Sequence, residues 1–232
     1  MDAPRRIRGR LAAAVVARNR KGRDNRHVSE PKTVAATAEE IVPGLWYWGI
    51  RDERIGGNPG AAHAVPANEG IVLIDPLPLA EEPMSRLGTV SAICLTTSSH
   101  QRSSWRLRRE LGVPVWAPAL VQEIEEEPDE RYGEGDQLPA GLEAIFTPGA
   151  GTTQHSLLHP PTGALFTPDL FARLPDGPLG MVPAEHMHDP EEALRSAENL
   201  LALDFSILCL GHGPPVTQDP HGAIRAALTL AS

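Results

Sequence analysis

No run in this chain approaches the roughly 18 to 20 uninterrupted apolar residues of a membrane span; its apolar stretches are strand-sized, such as Ile71–Ile74 and Ile207–Leu210. Cysteine is nearly absent. The two present, Cys94 and Cys209, each lie inside an apolar run (SAICL, SILCL), where a thiol is a small buried hydrophobe with a raised pKa and a poor nucleophile. Two cysteines without a framework exclude a disulfide scaffold and point to a reducing, cytoplasmic setting. Also missing are a Gly-x-Ser-x-Gly nucleophile elbow, a phosphate loop and a Gly-x-Gly-x-x-Gly turn after a strand. These absences leave a soluble protein without the usual serine, cysteine or nucleotide chemistry.

What is there is enough for one core. With 232 residues and 41% hydrophobic content, the chain has room for one domain plus a tail. The net charge of −9 is divided unevenly: residues 1–32 hold ten Lys/Arg against three Asp/Glu, and the remainder eleven against twenty-seven. An acidic body does not suit a phosphate backbone, so nucleic acid is not an expected partner. The Arg-rich stretch 1–35, with one short apolar patch at 11–17, reads as a basic, disordered extension or as upstream sequence, in preference to a transit peptide. The domain then spans 36–232.

Along that domain the punctuation changes twice. Residues 40–50 (EIVPGLWYWGI), then AAHAVPA and GIVLID around an Asn-Glu-Gly turn, predict hairpins and an antiparallel start to a sheet. From Asp75 the pattern alternates: helix over 80–87, strand SAICLT, helix over 103–111, strand VPVWA. Residues 123–136 (EIEEEPDERYGEGD) read as a solvated excursion with surface acids. A second run of strands follows, LEAIFT, HSLLH and ALFT. Helix 189–203 then opens on an Asp N-cap with Pro at its first position, and strand FSILCL and helix 221–230 close the chain.

Four loops, taken in order, resemble the metallo-β-lactamase superfamily: LIDPL at 73–77, LTTSSHQR at 95–102, FTPGAG through LFTPDLF at 146–171, and LGHGPPV at 210–216. The resemblance implies an α/β fold, a four-layer αββα sandwich of two mixed sheets with helices outside and a cleft along one edge. It also implies a dinuclear zinc or iron centre fed by His-x-His-x-Asp-His, a His after Thr-Pro-Gly, a bridging Asp and a His in Gly-His. Carried over by position, Thr97, Ser99, Gln101 and Arg102 stand where the first motif has His, His, Asp and His, and Ala150 stands where the Thr-Pro-Gly histidine would be. Only Asp169 and His212 remain as ligands of that type. Hydroxyls, an amide and a methyl do not replace imidazole, so no family-type centre and no resident cofactor is expected.

Buried carboxylates that were matched to dications need another cation. Arg102 is the candidate: its guanidinium is expected in the vacated metal volume, bonded to Asp169 with His212 as a further partner and near Asp75, or else pointing to solvent from the helix start. His100 fills a variable position of the loop, facing the cleft mouth as donor or base, or else solvent. His186 and His188 (AEHMHD) form a His-x-His that suits a ligand pocket better than a metal. His155, His159, His63, His27 and His221 read as packing, tail or surface residues.

Two functions compete. In the first, a metal-free, non-catalytic member of the superfamily binds a small anionic molecule through Asp75, His100, Arg102, His186 and His188. In the second, Asp169 and His212 plus one of His100, His186 or His188 hold a single zinc, iron or manganese ion, and the chain hydrolyses an ester, thioester or lactam. A third and blander reading is an interaction protein recruited through its basic tail.

Overall fold

The computed structural model describes residues 30–121, 123–174 and 176–231. The tail residues 1–29 lie outside them. Residues 30–35, assigned to the tail by composition, are packed on the domain. Asp52 accepts from the amides of Lys32 (2.9 Å) and Thr33 (2.7 Å), the Ala35 amide donates to Pro78, and the Ala35 side chain is buried in the core.

The first sheet has seven strands in chain order: β1 (Glu39–Val42), β2 (Leu45–Arg51), β3 (Pro59–Pro66), β4 (Ile71–Ile74), β5 (Val90–Cys94), β6 (Val115–Pro118) and β7 (Glu130–Tyr132). β1 to β4 form an antiparallel meander, as the two hairpin signals predict. β4 to β7 run parallel, with helix α1 (Glu81–Leu87) between β4 and β5 and helix α2 (Ser104–Leu111) between β5 and β6. The second sheet orders β14 (Ile207–Leu210), β11 (Ala164–Thr167), β10 (His155–His159), β9 (Leu142–Phe146) and β8 (Gln137–Leu138), with only β11 and β14 parallel. A small hairpin, β12 (Phe171–Arg173) with β13 (Leu179–Met181), and helices α3 (Pro190–Leu200) and α4 (Pro220–Ala231) complete the chain.

Side-chain alternation divides the interior into three apolar layers. Along β4, Ile71 and Leu73 pack outward with Leu87 of α1 and with Trp105 and Leu107 of α2, while Val72 and Ile74 point inward against Leu142, Leu157, Phe166 and Cys209 of the second sheet. β14 repeats the division: Ile207 and Cys209 face inward, Leu208 and Leu210 outward against Ala193, Ala197 and Leu200 of α3 and Ile224 of α4. Period-two burial on both sheets with helices on both outer faces is the expected αββα sandwich. Each fully buried aliphatic side chain contributes about 1.5 to 3 kcal/mol, so these layers are the main favourable term in folding. Both cysteines sit free and buried in the middle layer, and burial pushes both thiols up.

Two local details differ from the sequence expectation. Helix 189–203 keeps its Asp189 cap, whose carboxylate accepts from Glu192 N at 2.9 Å, but ends at Leu200. Within the charged segment 123–136, β7 pairs in parallel with β6, and Tyr132 is buried with its hydroxyl donating to Leu95 O. The acids around it are on the surface as expected, with Glu126 and Asp129 paired to Arg109 and Arg108.

Candidate metal centre

The loops after β4, β5, β11 and β14 meet at one edge of the sandwich. Directly after β4, Asp75 adopts a left-handed φ of 47°, which Asp tolerates better than most residues. Its carboxylate accepts from Thr96 N (2.8 Å), Thr96 Oγ1 (2.5 Å) and His100 Nδ1 (2.9 Å). His100 ends a short 3-10 turn, Ser98–His100, and its side chain is 3% exposed. Because a carboxylate faces Nδ1, that nitrogen carries the hydrogen and Nε2 is left to face the cleft.

Asp169 follows β11. Its Oδ2 accepts from Ser99 Oγ at 3.0 Å, and its Oδ1 lies 3.0 Å from His212 Nε2 and 3.1 Å from His100 Nε2. His212 follows β14, and its Nδ1 is 3.2 Å from the carbonyl of Pro59. A carbonyl only accepts, so Nδ1 of His212 also carries a hydrogen. In the neutral tautomers both Nε2 atoms, each bearing a lone pair, therefore lie against one carboxylate oxygen. That convergence repels unless a cation sits in it, either a proton on an imidazole or a metal ion. The buried Nε2 of His100 is off the line to Asp169 and makes no hydrogen bond.

The electrostatics agree. Burial and the Arg102 guanidinium oppose charge on His100, but Asp169 and Asp75 outweigh them and raise its pKa. Burial also works against the Asp169 carboxylate, yet the two histidines hold it well below the usual range. The site favours positive charge beside Asp169.

Arg102 is the main correction to the sequence reading. It neither points to solvent nor bonds Asp169. It is 2% exposed, and its guanidinium donates to three backbone carbonyls: Nη1 to Ala61 (2.5 Å) and Asp75 (3.2 Å), Nη2 to Gly211 (3.1 Å). Asp169 is held instead by Ser99 and His212, with His100 Nε2 at 3.1 Å. His100 does not face solvent either; it is the third member of the cluster. Asp75 and Arg102 are both buried; the Asp75 carboxylate and both Arg102 Nη atoms are engaged within the protein, and Arg102 Nε is without a partner.

The other positions lost as ligands have new tasks. Gln101 is buried and anchors α2, accepting from Trp105 Nε1 (2.9 Å) and donating to the carbonyls of Ser98 and Glu123. Ala150 packs on the outer layer of the second sheet. His186 and His188 are exposed and do not join the cluster; the backbone of His188 bonds the Ala150 carbonyl at 3.3 Å. His155 and His159 are buried in β10, His63 lies buried between the rings of Tyr47 and Phe166, and His221 stacks on Phe205. His27 is outside the described residues.

Among the described residues, His100, Asp169 and His212 are the group of three whose donor atoms all lie within 4.8 Å of one another. Donors about 2.0 to 2.1 Å from one tetrahedral ion stand about 3.3 Å apart, close to the spacings here. Two imidazoles and a carboxylate, each imidazole fixed by a partner on its far nitrogen, form a donor set that suits zinc, iron or manganese. A dinuclear set does not fit, because Thr97, Ser99, Gln101, Arg102 and Ala150 supply no second group of donors.

Fold and site together define a metallo-β-lactamase-type sandwich with a reduced metal cluster. The family model described as the metallo-beta-lactamase superfamily matches residues 42–228, and the chain belongs to that superfamily. Among solved structures, it is similar to TMB-1 (17% identity, TM-score 0.68, covering 86% of this chain and 99% of that one). It is likewise similar to a metallo-beta-lactamase from Erythrobacter litoralis (18% identity, TM-score 0.63, covering 84% and 91%). A third is a metallo-beta-lactamase from Pontibacter korlensis (18% identity, TM-score 0.64, covering 83% and 98%). At such identities the likeness is one of fold alone. Comparison with curated proteins gave no match.

His100, one of three histidines offered as a third partner of Asp169 and His212, is the one that the structure brings to them. The signal was present, since it is the single histidine of the loop 95–104, but its partner Asp75 is 25 residues away.

Proposed function

We propose that this protein is a hydrolase of the metallo-β-lactamase superfamily that works with one metal ion, held by His100, Asp169 and His212, on an ester, thioester or lactam. The observation that carries this reading is the convergence of two imidazole Nε2 atoms on one carboxylate oxygen, with His100 Nε2 buried and unbonded. A dication bound there supplies an acidified water and polarises a carbonyl oxygen. Asp75 fixes the ring of His100, Pro59 fixes the tautomer of His212, and Ser99 holds the free oxygen of Asp169. The exposed His186 and His188, the latter tied by its amide to Ala150, are the side chains we assign to contact with a small, anionic substrate. No helix of the described residues is long and apolar enough to cross a membrane, and two free buried cysteines suit a reducing cytoplasm.

One observation favours a second reading. Asp75 and Asp169 flank His100, so a protonated His100 would satisfy both acids without metal, leaving a non-catalytic binding cleft. Elemental analysis of protein purified without chelator separates the two. One equivalent of zinc, iron or manganese, lost in Asp169→Ala and His212→Ala, is expected. A wild-type chain that carries none and takes up none of the three would overturn the hydrolase reading and leave the binding one.

A further inference from the structure

The guanidinium of Arg102 joins backbone that is far apart in the chain. Its three carbonyl partners belong to β3 (Ala61), the turn after β4 (Asp75) and the loop after β14 (Gly211), at separations of 41, 27 and 109 residues. The first two lie in one sheet and its loops, the third in the other. Each partner adjoins a site element: Asp75 orients His100, Gly211 precedes His212, and β3 begins at Pro59, whose carbonyl fixes His212. The Gly211 carbonyl also accepts from Ala61 N at 2.9 Å, so the bond between the sheets and the bond from the guanidinium share one oxygen.

Burying that guanidinium is costly. It is 2% exposed, its Nε has no partner, no carboxylate lies within ion-pair distance among the described residues, and its backbone has a left-handed φ of 43°. A left-handed backbone at a non-glycine residue and an unpaired buried donor are each unfavourable. Such a side chain persists where the surrounding structure depends on it.

In a dinuclear site of this fold, two ions cross-link the ligand loops and neutralise their acids. Here one set of loop ligands is gone. We propose that Arg102 is a positioning residue that takes over the cross-linking role of a second metal ion, tying together the loops that carry His100 and His212 in a site whose remaining donors hold a single ion. This deepens the hydrolase reading but does not stand on metal binding alone, because the clamp is made by the protein itself.

The test compares the full-length wild type with Arg102→Lys, Arg102→Met and a stability control, Leu200→Ala, in the core under α3. Amide hydrogen exchange of Ala61 and Gly211 reads the clamp without any metal; zinc competition against a chromophoric chelator and the cobalt(II) spectrum read the centre. Both Arg102 variants should exchange at Ala61 at least tenfold faster than wild type and bind the first ion at least tenfold more weakly, whereas Leu200→Ala should lower the melting temperature with unchanged metal affinity. Should Arg102→Met not fold, the lysine variant carries the test. Wild-type exchange in Arg102→Lys, or two cobalt ions per wild-type chain, would overturn the inference. Faster exchange in a protein that takes up no metal would sink the hydrolase reading and leave the clamp standing.

Discussion

Replacing Gly211 with alanine tests the packing that places His100. A Cβ at position 211 would lie 2.5 Å from His100 Cε1 and 2.9 Å from the Pro168 carbonyl oxygen, whereas carbon atoms in contact stand about 3.5 to 4.0 Å apart. The carbonyl belongs to the backbone leading to Asp169 and cannot yield cheaply, so the imidazole must move by about 1 Å. That movement breaks the 2.9 Å bond to Asp75 or carries Nε2 away from Asp169. Overpacking of this kind costs about 1 to 3 kcal/mol in stability, and losing the support of a metal-bound histidine weakens binding about 10- to 100-fold. Urea unfolding measures the first and zinc competition the second. Gly180→Ala in β13, where nothing lies within 4 Å of the added methyl, is the control and should change neither. Wild-type zinc affinity and stability in Gly211→Ala would refute the placement of His100 against Gly211.

The other predictions concern stability. Burial, opposed by Asp75 and reinforced by Arg102, lowers the pKa of His63 from 6.5 to about 3. The folded state thus favours neutral imidazole: its contribution is complete above pH 6.5 and is lost as pH falls from there toward 3, at up to about 1.4 kcal/mol per pH unit. Urea midpoints measured from pH 7.5 to 4.5 should fall less steeply in His63→Leu than in wild type. Asp189→Ala removes the cap of α3 and should cost about 1 kcal/mol in urea unfolding, with no change in metal content. If one ion is bound at 100 times its Kd, the linkage is about 2.7 kcal/mol, so chelation should lower the melting temperature by roughly 5 to 10 °C in wild type and not in His212→Ala.

Much of the fold was legible because its signals are local. Ile71–Ile74 and Ile207–Leu210 announce themselves as strands by composition, Asp189-Pro190 as a helix start by chemistry, and the four loops by motif. β7 was hidden because Tyr132 is its only buried residue and acids surround it; a parallel edge strand needs little apolar sequence when its partner β6 is already in place. In the site, Asp169 and His212 were readable by position and their contact follows from the fold. The role of Arg102 was not readable. Its charge suggested a carboxylate partner, but its guanidinium is taken up by main-chain oxygens, which no side-chain pattern encodes. His100 was obscured for a related reason: only its packing against Gly211 and its bond to Asp75 decide whether a loop histidine turns inward.

The shared oxygen of Gly211 has a mechanical consequence. It fastens one half of the sandwich to the other within one residue of His212. Prying the halves apart at this rim therefore displaces His212, and whatever grips His212 resists the prying. An ion or ligand that gripped His212 would therefore also favour cohesion of the two leaves, through a single peptide group.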